Sequence, residues 1–393
     1  MAELLAKISP QTYQKYIHHR RGQAFIYCEL TVTLYGTLKA ALLFWIKLSK
    51  SLIKMGFKIN PYDWCIANKI IEGRQCTIVW HVDDLKLSHV KPSVVSNIIA
   101  TLKKEYEVIG TLSVTRGKVH DYLGMTLDFS NPGKLIIDVG SYLEEIFEEV
   151  KVIDIFQGTT TTPAADHLFK TRENAKRLNE TDASLFHSIT TKLLWISHCG
   201  RPDIMCAISF LCKRVTNPDA DDYKKLARVI KHFRRTKFLR LTLEATHLHQ
   251  VHWLIDGAFA VHDNMKSHTG SFMTLGRGMM GGTSITQRIN TTSSTQAEVV
   301  AIHDNMGPIL WTQYFLEEQG YPMRPSVIHQ DNQSVMLLET NGRGSSSKRT
   351  RHMNIRYFFV ADCQKRNEII ITYCPTDEMI GDFFTKPLGG AKF

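Results

Sequence analysis

Asp83 and Asp84 stand side by side in Thr77-Ile-Val-Trp-His-Val-Asp-Asp-Leu-Lys-Leu-Ser88, between two runs rich in apolar residues. Adjacent carboxylates repel and suit strands poorly, so the pattern predicts a β-hairpin with both acids at its tip. Such a pair can hold a divalent cation: Mg²⁺ takes hard oxygen ligands, binding one or two carboxylates and filling its other positions with water or phosphate. An ordinary Asp-Asp turn without a metal is the plain alternative. Four further acids matter for where they fall. Asp256 lies within a predicted strand, Asp331 directly follows another, and Glu298 and Asp382 fall near helix starts. A mixed sheet with helices at its ends could gather these four at one edge, where two Mg²⁺ ions would support phosphodiester cleavage.

The elements that must position these acids are legible as periodicities. Leu38, Leu42, Trp45, Leu48 and Leu52 make an amphipathic helix stopped by Gly56, its stripe read as core packing. A second helix opens at Pro92 and carries Val95, Ile98, Ile99 and Leu102. His120 to Ser130 and Leu135 to Val139 read as paired strands around the turn Asn131-Pro-Gly-Lys134, and Ser141-Tyr-Leu-Glu144 reads as a capping box opening a helix over 142–150. Gln157 to Ala164 breaks the pattern and connects subdomains. Mostly helical sequence follows from 182 to 237, and strands resume from Gln250: 250–255, 271–275 and 282–286. A helix near Ser294 carries Glu298 in its first turn, and Pro308 should kink or split it. Then come the strand 325–330, helices 333–339 and 352–364, the strand 369–373 and a short helix begun by Asp382.

With 393 residues and 43% hydrophobic composition the chain can bury two or three cores. A formal charge of +10 favours a polyanionic partner. Between Lys224 and Arg240 there are eight basic residues and no acid. In that helix Leu226, Val229, Ile230 and Phe233 form the buried face, while Lys224, Arg228, Lys231 and Arg235 line another that either tracks phosphates or faces solvent. Eight scattered cysteines show neither zinc-site spacing nor a disulfide framework, which fits a reducing intracellular compartment. The longest apolar run, Ala40 to Ile46, is far short of a membrane span.

The ordered motifs Leu34-Tyr-Gly-Thr-Leu-Lys39, Trp80-His-Val-Asp-Asp-Leu85, Tyr122-Leu-Gly-Met125, Lys192-Leu-Leu194 with Arg201-Pro-Asp-Ile204, Ser293-Ser-Thr-Gln-Ala-Glu298, Gln330-Asp-Asn-Gln-Ser334, Arg349-Thr-Arg-His352, Arg356-Tyr357 and Asp382-Phe-Phe-Thr-Lys386 resemble those of copia-type retrotransposon Pol polyproteins, from about residue 30 onward. The resemblance implies a mixed α+β and α/β chain: a truncated reverse transcriptase palm and start of thumb over 1–160, a helical thumb or connection segment over 161–247, and a ribonuclease H-like mixed sheet with flanking helices over 248–393. It matches Asp83 and Asp84 to the paired palm carboxylates. Asp256, Glu298, Asp331 and Asp382 match the four metal-binding acids of ribonuclease H. Leu123, Gly124 and Met125 match a strand that positions the primer end, and His352 a histidine that is either catalytic or a capping or packing residue.

The implied cofactor is Mg²⁺ or Mn²⁺. The implied partners are RNA·DNA hybrid and template-primer, with no membrane, in a cytoplasmic retroelement particle or the nucleus. Two departures leave the matched ligands intact: His81 replaces the usual aromatic before Val-Asp-Asp, and Gln296 replaces a Glu. A third concerns polymerase chemistry, which in this family uses another carboxylate upstream, whereas the first Asp here is Asp63 and only Glu3 and Glu29 precede it. The expectation is therefore a ribonuclease H with a polymerase site incomplete on its own. The alternatives are a catalytically silent nucleic-acid-binding remnant, or a reverse transcriptase completed by another chain.

Overall fold

The computed structural model describes residues 2–29, 34, 36–107, 110–346 and 351–393. Tyr35, Arg349 and Thr350 of the motifs above lie outside them. Among the described residues the fold is mixed α/β with four sheets, and the chain divides into two compact units: Met1–Ile59 with Trp64–Val95, and Asn60–Asp63 with Ser96–Phe393.

In the first unit a helix, Leu38–Lys54, starts at Thr37, whose side chain accepts from the Ala40 amide. An antiparallel sheet follows, with Lys58–Ile59, Ile66–Ile71, Arg74–His81 and Asp84–Ser88 in sequential order. Alternation along its third strand buries Cys76, Ile78 and Trp80, and Leu48 and Leu52 of the helix are buried too. The helical stripe is only half used, however. Leu38 is 92% exposed and Leu42 57%. The ties to neighbouring segments lie farther along, where the Trp45 indole donates to the Trp64 carbonyl and Lys69 donates to the Met55 carbonyl.

In the second unit an antiparallel sheet contains Val119–Tyr122, Met125–Asp128, Lys134–Asp138, Leu241–Ala245 and Gly276–Arg277. The strand expected over 120–130 is instead a hairpin. It folds back at Leu123 and Gly124, both at positive φ (52° and 77°), as a two-residue turn requires. The capping box at Ser141 does not form either. The helix starts two residues earlier than expected, at Gly140, whose amide is taken by the Asp138 carboxylate.

The helices Glu180–Cys199, Met205–Cys212 and Ala220–Arg235 pack around a core that includes Phe186, Ile189, Leu193, Ile208, Leu226, Val229, Ile230 and Phe233. The last of these helices begins with a capping box between Asp219 and Asp222.

The second unit also contains a mixed sheet in the order Gly281–Thr286, His268–Thr274, His252–Ala258, Ser326–Gln330 and Ile369–Tyr373. The first three strands are antiparallel and the last two run parallel to His252–Ala258. The helix Ser294–Glu318 covers one face, burying Val299, Ile302, Met306 and Ile309 with Trp253, Ile255 and Ile328. Contrary to the sequence expectation, it runs through Pro308 as one helix of 25 residues. Burial of its face on both sides of the proline holds together what the missing N–H would otherwise weaken.

A candidate metal centre at the end of the mixed sheet

Asp256 sits in the central strand with its side chain 97% buried. The adjacent Gly257 lets the long helix approach: a Cβ there would stand 2.6 Å from the Ala297 carbonyl oxygen. That close approach brings the start of the helix, and Glu298 with it, to the sheet end. Glu298 falls in the second helical turn rather than the first, because the helix begins at Ser294. Gln296, the departure from the family pattern, helps to hold that start. Its side-chain oxygen accepts from both the amide and the hydroxyl of Thr292 at 2.9 Å. Asp331 follows directly on the neighbouring parallel strand, Ser326–Gln330.

Ligand oxygens of Asp256, Glu298 and Asp331 all lie within 4.8 Å of one another. Cis and trans oxygens around an octahedral Mg²⁺ at ~2.1 Å are about 3 and 4 Å apart, so the three carboxylates would close by less than about 1 Å around a hard divalent cation, whose chemistry they suit. Each acid is also held in place. The Gln330 amide donates to Glu298 Oε2 at 3.3 Å, Thr376 donates its hydroxyl to Asp331 Oδ2 at 2.9 Å, and Thr385 donates its hydroxyl to Asp256 Oδ2.

Asp382 comes from a 3₁₀ turn, Ile380–Phe384, rather than beginning a helix. The turn packs on the sheet through Gly270, where a Cβ would meet Phe384, Thr385 and the Gly381 carbonyl within 2.8 Å. Asp382 is next to Asp256, and Lys386 stands at both, with its ammonium 2.6 Å from Asp382 Oδ1 and 3.5 Å from Asp256 Oδ2.

The electrostatics follow from this crowding. Burial, then the charges of Asp256 and Asp331, push the Glu298 pKa well above the carboxylate range. Burial and Asp256 likewise raise that of Asp382, against the pull of Lys386. Burial works against the Lys386 ammonium, yet Asp256 and Asp382 beside it keep its pKa above the ordinary lysine value.

The remaining expected site residues are not members of this group of acids. Asp83 and Asp84 are exposed at the hairpin, with Val82 and Asp83 forming the turn and Asp84 opening the return strand opposite His81. Among the described residues they belong to no group of three metal-ligating side chains. Gly124 is at a hairpin tip, close to the Trp195 ring, instead of within a strand. His352 is exposed in a 3₁₀ turn before the helix Asn354–Lys365.

The basic helix divides in two. Lys224 and Arg235 are exposed, whereas Lys231 and Arg228 are half-buried and Arg228 donates to the Thr162 hydroxyl at 2.8 Å, so part of this face holds the 157–164 connection. Sequence reasoning left out Gln330, Thr376, Thr385 and Lys386. Gln330, Thr385 and Lys386 stand inside the motifs quoted above, where the adjacency of Gln330 to Asp331 and the i,i+4 spacing of Lys386 from Asp382 were further signals; nothing pointed to Thr376.

Along nearly its whole length the chain is similar to retrovirus-related Pol polyproteins of transposons. It is 23% identical over 379 residues, 95% of this chain, to the retrovirus-related Pol polyprotein from transposon TNT 1-94 of Nicotiana tabacum, and 24% identical over 371 residues to that from transposon RE1 of Arabidopsis thaliana. A putative transposon Ty5-1 protein of Saccharomyces cerevisiae is 26% identical over 254 residues, 63% of this chain and 77% of its own length. These homologues agree with the copia-type resemblance of the motifs. The chain spans only 28% and 24% of the first two relatives.

No protein-family model matches the chain. Among solved structures, a foamy viral protease-reverse transcriptase in complex with dsDNA aligns with 92% of this chain and 63% of its own at a TM-score of 0.49 and 12% identity. LC11 ribonuclease H1 in complex with an RNA/DNA hybrid aligns with 34% of this chain and 93% of its own at 0.26 and 11%. Among the described residues no helix is long and apolar enough to cross a membrane.

Proposed function

We propose that the chain is a retroelement ribonuclease H that hydrolyses the RNA strand of an RNA·DNA hybrid with Mg²⁺ or Mn²⁺. The observation that carries this is the convergence of Asp256, Glu298 and Asp331 within 4.8 Å, with Asp382 alongside. Asp256, Glu298 and Asp331 would hold a divalent ion, which supplies Lewis-acid charge for phosphodiester hydrolysis.

The protein's own groups prepare the site. Thr385 and Thr376 each engage one carboxylate oxygen and so fix the direction of the other. The Gln330 amide stabilises the charged form of Glu298 in its buried position. Lys224 and Arg235 offer exposed charge to the phosphate backbone of a hybrid. The polymerase motif carries no comparable support, because Asp83 and Asp84 join no third ligand among the described residues.

The test is release of end-labelled RNA from a hybrid. Wild-type protein should cut the RNA with Mg²⁺ or Mn²⁺ and leave duplex DNA intact, while Asp331→Asn should lose roughly 10²-fold or more in rate and still bind hybrid. Folded protein that binds hybrid and leaves its RNA whole across both metal titrations overturns the proposal.

A further inference from the structure

Four carboxylates suit two divalent ions, but the structure places a cation of its own among them. The 3₁₀ turn is pinned by amides of Thr385 and Lys386 that both donate to the Asp382 carbonyl, at 3.2 and 3.0 Å. It therefore presents the Lys386 side chain directly to the Asp382 carboxylate. The Nζ atom lies between Asp382 Oδ1 at 2.6 Å and Asp256 Oδ2 at 3.5 Å, and the same Asp256 oxygen also accepts the Thr385 hydroxyl. Asp382 is correspondingly outside the three-acid group formed by Asp256, Glu298 and Asp331.

A second Mg²⁺ bridging Asp256 and Asp382 would need to sit about 2.1 Å from their oxygens. An ammonium 2.6 Å from one of those oxygens occupies that volume, and its charge repels a dication at such a distance even through a screening medium. The lysine side chain remains 40% exposed on a flexible stem, so it has solvent to move into.

We infer that Lys386 fills the second-cation position of this cluster, so that the site takes one divalent ion tightly and a second only when the lysine swings away. The inference rests on the three-acid group being a divalent-cation site. It makes Lys386 a residue that sets how many ions the site holds, and at what concentration, independently of any nucleic acid.

Mn²⁺ binding to the full chain, followed by loss of the free-ion electron paramagnetic resonance signal and by calorimetry without nucleic acid, tests it. Wild-type protein should bind one ion tightly and a second at least about tenfold more weakly. Lys386→Met should bind two, with the second affinity raised about tenfold or more, and Lys386→Arg should behave as wild type. Lys386→Gln serves if the Met variant melts early by circular dichroism. Asp331→Asn should lose the tight ion.

Two ions of like affinity in wild type, or unchanged binding in the Met and Gln variants, overturn the inference while leaving hybrid cleavage to stand. The expected shift in stoichiometry with no hybrid cleavage overturns the proposed function and upholds the inference. Absence of any ion from every variant overturns both.

Discussion

The side-chain amide of Gln330 donates to Glu298 Oε2 at 3.3 Å while its oxygen accepts the Asn332 amide at 2.9 Å, so one fully buried residue joins the start of the long helix to the end of the parallel strand. This is the contact that lowers the Glu298 pKa against burial and two neighbouring charges. Gln330→Leu should therefore raise that pKa further and move the acid limb of a metal-dependent pH–rate profile to higher pH. A hydrogen bond to a charged group contributes roughly 1.5–3 kcal/mol, so Mn²⁺ affinity at neutral pH should fall about tenfold. Calorimetric titration checks the affinity and the profile checks the direction.

Glu339 presents a different case. It is fully buried in the helix Gln333–Asn341, neither carboxylate oxygen has a hydrogen-bond partner among the described residues, and burial alone pushes its pKa well above the usual value. The folded chain thus holds a proton there that the unfolded chain releases. This contribution to stability is fully present below about pH 4.5 and is lost as pH rises through the raised folded value. Glu339→Leu should remove that slope and add about 1–3 kcal/mol at pH 8, read from denaturant melts at pH 5 and pH 8. Equal wild-type and variant slopes would contradict it.

The basic helix should separate into two kinds of residue. Replacing exposed Lys224 and Arg235 with Gln should flatten log affinity against log salt by roughly 0.9 per lost phosphate contact on duplex while leaving the melting temperature unchanged. Arg228→Gln should lower the melting temperature, because its guanidinium holds Thr162. Measuring both quantities for both variants is decisive. A salt slope that ignores Lys224 and Arg235 returns this face to plain solvation.

Gly257→Ala should damage the metal centre from behind. Its Cβ would meet the Ala297 carbonyl oxygen at 2.6 Å and the Glu298 amide at 2.9 Å, so the strand and the helix must part. Overpacking of this kind costs about 1–3 kcal/mol, and the displaced Glu298 should weaken Mn²⁺ binding in protein that still folds. Unchanged binding and stability in the variant would show that the close approach does not set the geometry.

Asp331 was legible in the sequence because the strand 325–330 stops directly at it, whereas Asp256 lies inside a strand that runs on to Ala258. Their contacts were not legible. Thr385 and Lys386 reach Asp256 only because the last turn lies flat on Gly270, a contact between distant segments that no local pattern encodes. The hairpin at Leu123 was hidden for another reason, since leucine rarely adopts positive φ and gives no turn signal. Leu38 and Leu42 carried the right spacing for burial, yet spacing describes a face and not what covers it. Asp138 accepts the Gly140 amide and so supports a helix start two residues before the one Ser141 was expected to cap, a competition that composition alone does not settle.

The hydroxyl of Thr385 meets Asp256 across 129 positions of chain. Closing a loop of that length carries an entropic penalty of about 4 kcal/mol, and the four acids are dispersed whenever the loop is open. An ion that binds only the assembled cluster is therefore linked to the closed state, and its free concentration adds to the stability of the whole domain by mass action. With an ion bound, the centre would act as a checkpoint on tertiary assembly. A chain misthreaded anywhere between the central strand and the last turn would then forfeit both the ion and the extra resistance to unfolding that comes with it.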